Sequence, residues 1–195
     1  MTRQELQIKA ANILTERKRF ICQWATGVGK SGSVLEFLKI HPNASTLIFV
    51  PEQNNIQNWY DEFDKFDVFS DNVTIACYAS MHKYRDTEWD LLVFDEMPHL
   101  DTDKRVNISR DISAKYVLAL GAVITDDEKQ TLEDLYGNFL VWRINLHQAI
   151  AWGLIPMPTV NVMHMELDDT ERNHYYQGRM LTAKQYYDII QKKVH

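Results

Sequence analysis

Cysteine is scarce in this chain of 195 residues: Cys22 and Cys77 are the only two, and they match no zinc spacing. Both fall in apolar, strand-like runs, which excludes an expected disulfide and suits buried free thiols in a reducing compartment. The seven histidines are scattered without paired spacing, so a zinc site is not expected. Long hydrophobic runs are also lacking. The longest, Tyr116 to Ile124, is far too short to span a bilayer, and no charged-then-apolar signal segment opens the chain. A soluble, cytoplasmic protein with no membrane partner is the expectation. Nor is there an excess of positive charge. Lysine and arginine number 21 against 27 acids, a net charge of −6, which excludes coating nucleic acid by bulk electrostatics and leaves only local contact. The basic groupings Arg17, Lys18, Arg19 and Lys104, Arg105, Arg110 read as solvated surface. There is no internal repeat or low-complexity tract, and 45% hydrophobic with 25% charged residues describes an ordinary globule.

What is present is an alternation of strands and helices. Thr2 and Glu5 have capping-box spacing, and Leu6, Ala10, Ile13 and Leu14 recur at helical period, predicting a helix to about Lys18. The apolar run Phe20 to Cys22 follows, then the amphipathic stretch Gly32 to Ile40. Strand Thr46 to Val50, helix Gln53 to Phe66 and strands Val73 to Cys77, Asp90 to Phe94 and Lys115 to Leu120 come next. These strands are short and continuously apolar, as strands buried on both faces must be. The expected architecture is a three-layer α/β domain, a mostly parallel sheet with helices on both sides. A second capping-box pair, Thr125 and Glu128, starts a helix that Gly137 stops after Tyr136, and Asn145 to Trp152 reads as one more. Pro156 and Pro158 bracket a break before the alternating strand pattern Thr159 to Leu167. The domain is read as residues 1–167, with 168–195 a polar, helical tail or linker whose tyrosines (Tyr175, Tyr176, Tyr186, Tyr187) pack rather than stack on bases.

Between the first strand and the amphipathic stretch lies ATGVGKS, Ala25 to Ser31. A strand, a glycine-bearing turn and a helix start are what polyphosphate binding needs: backbone donors, a helix N-terminus and a lysine without steric obstruction. Gly27 and Gly29 permit the turn, Thr26 and Val28 complete it, Lys30 supplies charge and Ser31 can hold Mg²⁺. The full phosphate-loop pattern also wants a glycine where Trp24 stands. Trp24 itself reads as core. The partner of such a loop is the acid pair Asp95 and Glu96, which ends the apolar run Leu91 to Phe94 and so sits at the carboxyl edge of a parallel sheet, where ligands collect. Asp95 suits the metal, directly or through water, and Glu96 suits orienting or deprotonating an attacking water.

The order of these segments resembles the first RecA-like motor domain of superfamily 2 helicases and translocases, closest to the restriction-enzyme motor subunits of the DEAD/DEAH-like group. The likeness covers nearly the whole chain. Of Arg3, Gln4 and Gln7, it implies that Gln7 reads adenine, and ATGVGKS resembles motif I in a form that does not require the glycine replaced by Trp24. Val50, Pro51 and Gln53 to Phe63, with Trp59 and Glu62, resemble motif Ia, and Tyr78, Ala79, Ser80 resemble the next segment. Pro51, Gln53, Tyr78 and Ser80 are thereby implied to touch nucleic acid, a role that helix-start amides suit physically. Trp89 to Glu96 resembles motif II, and Ala149 to Pro156 a segment near the domain's end. ATP and Mg²⁺ as cofactors, and DNA or RNA as partner, follow from the resemblance.

Two departures qualify it. The fourth position of motif II, normally an acid or histidine, is Pro98, with His99 one later. His99 either couples ATP state to the next motif from a shifted loop or is a solvated or packing histidine. After Leu118, Ala119, Leu120 the family has hydroxyl, alanine, hydroxyl, and this chain has Gly121, Ala122, Val123. Those hydroxyls couple hydrolysis to strand separation, so ATP binding is the safer expectation. No second phosphate-site strand pattern follows Leu167, which places a second RecA-like domain elsewhere in the full-length protein or in a partner chain. The alternative is a degenerate, non-enzymatic RecA-like module that binds nucleotide or nucleic acid.

Overall fold

Thr2 begins the first helix through a reciprocal cap: its hydroxyl accepts from Glu5 N at 3.2 Å, and Thr2 N donates to Glu5 Oε2 at 2.8 Å. Helix α1, Arg3–Arg17, buries Leu6, Gln7, Ala10, Ala11 and Leu14 on one face and ends at Lys18 in the left-handed region (φ 64°). The computed structural model describes residues 1–157 apart from 70, 101 and 102, and apart from the side chains of His99 and Asp103. The expected strand Thr159 to Leu167, the tail 168–195 and its tyrosines lie outside the described residues.

The remaining elements alternate. Strand β1 is Arg19–Trp24, α2 Ser31–Ile40, β2 Thr46–Val50, α3 Gln53–Phe66 and β3 Val73–Cys77. A 3₁₀ turn, Tyr78–Tyr84, leads to β4, Thr87–Phe94, and a second, Met97–Leu100, to α4, Asp103–Ser109. Then come β5 Ile112–Gly121, α5 Asp126–Tyr136, β6 Leu140–Ile144 and α6 Leu146–Ala151. The capping boxes at Thr125 with Glu128 and at Asn145 with Gln148 are both formed. The six strands form one parallel sheet in the order β3-β2-β4-β5-β1-β6, with Ile21 opposite Ala119 on one side and Val141 on the other.

Side-chain alternation along these strands builds the layers. Phe20, Cys22 and Trp24 join Ile48, Val50, Leu91 and Val93 in a core under α1, α2 and α3. Ile21, Leu47, Phe49, Leu92 and Phe94 point the other way, into a core with Ile108 of α4 and Leu132 of α5. All five residues of β2 are buried, so each apolar side chain there contributes about 1.5–3 kcal/mol. The three-layer expectation is met, with the sheet wholly parallel. Trp24 is core, fully buried and edge-on to Trp142 at 5.5 Å.

Three features differ from the sequence reading. Strand β6 and helix α4 were not anticipated, and β4 and β5 begin earlier than their apolar runs. Cys22 is buried as expected, and its thiol is pushed up by that burial, but Cys77 at the end of edge strand β3 is partly exposed. Arg19 is not simply solvated surface: it donates to the carbonyls of Tyr136 (2.9 Å), Lys115 (2.7 Å) and Ala114 (3.1 Å), tying β1 to β5 and to the end of α5. Among the described residues no helix is long and apolar enough to cross a membrane.

Candidate functional site

At the carboxyl edge of the sheet, β1 runs into the turn 25–30 and then α2. Gly27 and Gly29 take φ of +85° and +93°, values that residues with a Cβ rarely adopt. Val28, fully buried, roots the turn in the core, while Thr26 is exposed. Ala25 N donates to Ile144 O at 2.8 Å, so the unanticipated β6 fixes the turn's first residue. Helix α2 starts without a side-chain cap and without an acid in its first turn, as an anion-binding N-terminus should.

Lys30 and the acid pair meet across this edge. Lys30 Nζ lies 3.8 Å from Glu96 Oε1 and donates to Trp24 O at 3.4 Å. Asp95 directly follows β4, and its Oδ2 accepts from Trp59 Nε1 at 2.9 Å while its carbonyl accepts from the Tyr78 hydroxyl at 3.0 Å. Burial holds the Asp95 carboxyl above its ordinary range, and the Trp59 bond only partly opposes that. Glu96 has φ of +49°, a left-handed backbone that costs a non-glycine residue about 1–3 kcal/mol.

Gln7 closes the other side. Buried on α1, it donates from Nε2 to Gly29 O at 2.9 Å, so the first helix reads the loop's conformation directly. This contact depends on Gly32, where a Cβ would come within 2.1 Å of Gln7 Nε2. Arg3 beside it donates to Leu154 O at 2.7 Å. Gln7, Gly27, Gly29, Lys30, Ser31 and Asp95 line one open cleft of about 450 Å³. Arg3, Asn55, Asn58, Trp59, Glu62, Lys65 and Phe66 complete its wall, and none of these was singled out for the nucleotide from sequence. The spacing of Trp59 and Glu62, a turn apart on α3, was the signal available for those two.

The positions read as nucleic-acid contacts gather at one neighbouring strand edge, because Val50 at the end of β2 pairs with Cys77 at the end of β3. Gln53 is exposed there, and Pro51 and Ser80 are partly exposed. Tyr78 is different: it is 2% exposed, between the β-sheet core and Asp95. Its hydroxyl therefore supports the acid from inside. Replacing Tyr78 by phenylalanine leaves the Asp95 carbonyl without this donor and should cost about 1–3 kcal/mol, read as a lower urea midpoint at unchanged m-value. The His99 side chain is outside the described residues, so the coupling role suggested for it lies there too.

No protein-family model and no curated protein sequence matches this chain. Solved structures do. The UvsW helicase of bacteriophage T4 superposes with a TM-score of 0.59 and 16% identity over 69% of this chain and 58% of that one. The SWI2/SNF2 ATPase core of Sulfolobus solfataricus in complex with double-stranded DNA gives 0.58 and 16% over 68% of this chain and 35% of that one. The Pyrococcus furiosus Hef helicase domain gives 0.55 and 15% over 74% and 39%. The chain thus spans roughly a third to just under three fifths of these structures. With a parallel six-stranded sheet, a glycine turn after β1 and an acid pair after β4, this chain has the same α/β fold as these helicase and ATPase cores.

Proposed function

We propose that this chain is the ATP-binding motor domain of a superfamily 2 helicase or translocase, which uses Mg-ATP hydrolysis to act on DNA or RNA and by itself binds ATP but hydrolyses it weakly. The carrying observation is the convergence of Gln7, the glycine turn, Lys30, Ser31 and Asp95 on a single cleft. Lys30 supplies charge to the phosphates, Gln7 meets the adenine end, and Glu96 orients or deprotonates the attacking water. The Ser31 hydroxyl and Asp95 carboxylate are hard oxygen donors that fit Mg²⁺. Among the described residues no three His, Cys, Asp or Glu side chains gather to hold a metal. When bound, Mg²⁺ would neutralise charge on the phosphates.

Pro51, Gln53 and Ser80 are the nucleic-acid contacts of this reading. A second RecA-like domain, in the full-length protein or a partner chain, would supply an arginine worth about 10³ to 10⁵ in rate. The resemblance to restriction-enzyme motors rests on sequence segments. The non-enzymatic reading draws its support from Gly121, Ala122 and Val123, the last 69% exposed where the family has a hydroxyl.

The test is a titration of fluorescent ATP with Mg²⁺, followed by turnover measured with and without single- and double-stranded nucleic acid. Saturable binding with weak, unstimulated turnover is the expected result. Absence of ATP binding overturns the proposal, and binding with no turnover at all selects the non-enzymatic reading.

A further inference from the structure

Helix α3 connects two strands, yet one of its faces reaches into the phosphate cleft. Ser31 Oγ donates to Glu62 Oε2 at 3.3 Å, and one turn earlier Trp59 Nε1 holds Asp95. The other oxygen of Glu62 accepts from Lys65 Nζ at 3.0 Å, so the carboxylate is oriented from both ends. Both oxygen donors assigned to the cation are thus held by a single helix face.

We infer that Glu62 is a positioning residue of the magnesium site, one that makes nucleotide occupancy depend on the divalent cation. The inference rests on the ATP-binding reading above. A serine hydroxyl has one proton and two lone pairs, and a metal ligand must turn a lone pair to the ion. With its proton committed to Glu62, Ser31 has its lone pairs left for the cation, the arrangement by which outer groups orient metal ligands. Glu62 has a second effect through charge. Its carboxylate, 30% exposed, lines the same cleft as Lys30 and repels the phosphates of metal-free ATP, while it attracts the divalent ion itself.

These two effects give Glu62→Gln opposite consequences in two measurements on the same protein. The amide keeps the size and an acceptor for Ser31 but removes the charge. Affinity for fluorescent ATP in Mg²⁺ should weaken about tenfold, roughly 1.4 kcal/mol, and affinity in EDTA should tighten by a few-fold. Glu62→Ala, which removes the acceptor as well as the charge, should lose further affinity in Mg²⁺, and that further loss should vanish in a Ser31→Ala background, because a residue acting through Ser31 couples to it. Misfolding would weaken both measurements together, and that result overturns the inference, as does equal affinity of wild type and Glu62→Gln under both conditions. If the wild-type chain binds ATP no better than Lys30→Ala does, the underlying reading and this inference fall together. If the wild type binds and Lys30→Ala does not, while Glu62→Gln behaves as wild type, only the role of Glu62 is lost.

Discussion

Lys30→Ala is expected to weaken ATP binding by on the order of 100-fold while leaving the fold intact. A lysine that meets phosphate charge in a partly desolvated cleft makes a charge-assisted contact, and truncating one partner of such a contact costs about 2–5 kcal/mol. Roughly 2.7 kcal/mol is already a factor of 100. Little stability is lost with it, because Glu96, its ion-pair partner at 3.8 Å, is 45% exposed, and pairs of that kind contribute at most about 1 kcal/mol. Calorimetric titration of Mg-ATP, run beside thermal unfolding of the same samples, separates the two. Equal affinity for wild type and variant would show that the glycine turn grips no phosphate.

That outcome depends on neighbours that differ greatly in how openly the sequence declares them. The turn, the strand before it and the acids Asp95 and Glu96 are declared locally, since glycine spacing, a continuous apolar run and a terminal acid each occupy a few adjacent residues. The same holds for the helix starts at Thr2, Thr125 and Asn145, where cap and partner are three residues apart. The α3 wall of the cleft is declared nowhere nearby. Trp59 meets Asp95 at a separation of 36 residues and Glu62 meets Ser31 at 31, so both contacts exist only once β2 has crossed to the far side of β4. Resemblance placed that helix beside nucleic acid; its inner face lines the cleft, while its first residue, Gln53, remains exposed at the strand edge.

Strand β6 escaped notice for a different reason. At the sheet's border it carries Leu140 and Arg143 outward, so it has neither the unbroken apolar run of a central strand nor clean alternation. Helix α4 and the two 3₁₀ turns are too short for any period to register. Tyr78 shows a limit of motif transfer. Its place after β3 suggested a surface contact, whereas the phenol folds inward to Asp95, because the 3₁₀ turn from Tyr78 to Tyr84 directs the first side chain into the core. Ser80 and Tyr78 share one turn, and the Tyr78 hydroxyl holds the Asp95 backbone.

Asp95→Asn should raise stability and remove activity at once. In the native chain this carboxylate is half-buried, its charged form is disfavoured chiefly by lost hydration, and the neighbouring Glu96 adds repulsion. The donor from Trp59 offsets part of this, and asparagine retains an oxygen to accept it. The folded state therefore holds its proton more tightly than the unfolded chain does. Between the unfolded and folded values the native state binds more protons, so wild-type stability falls as pH rises through and above the ordinary carboxylate range. Asparagine has no such charge to bury. At neutral pH the variant should have the higher thermal midpoint, and the gain should vanish in acid below the unfolded-state value. Turnover of radiolabelled Mg-ATP should fall by on the order of 100-fold, since the carboxylate suited to the metal is gone. A lower midpoint for Asp95→Asn at neutral pH would mean that the carboxylate is stabilised in the folded chain, and the cleft would then lack the desolvation that makes its charge effective toward a metal.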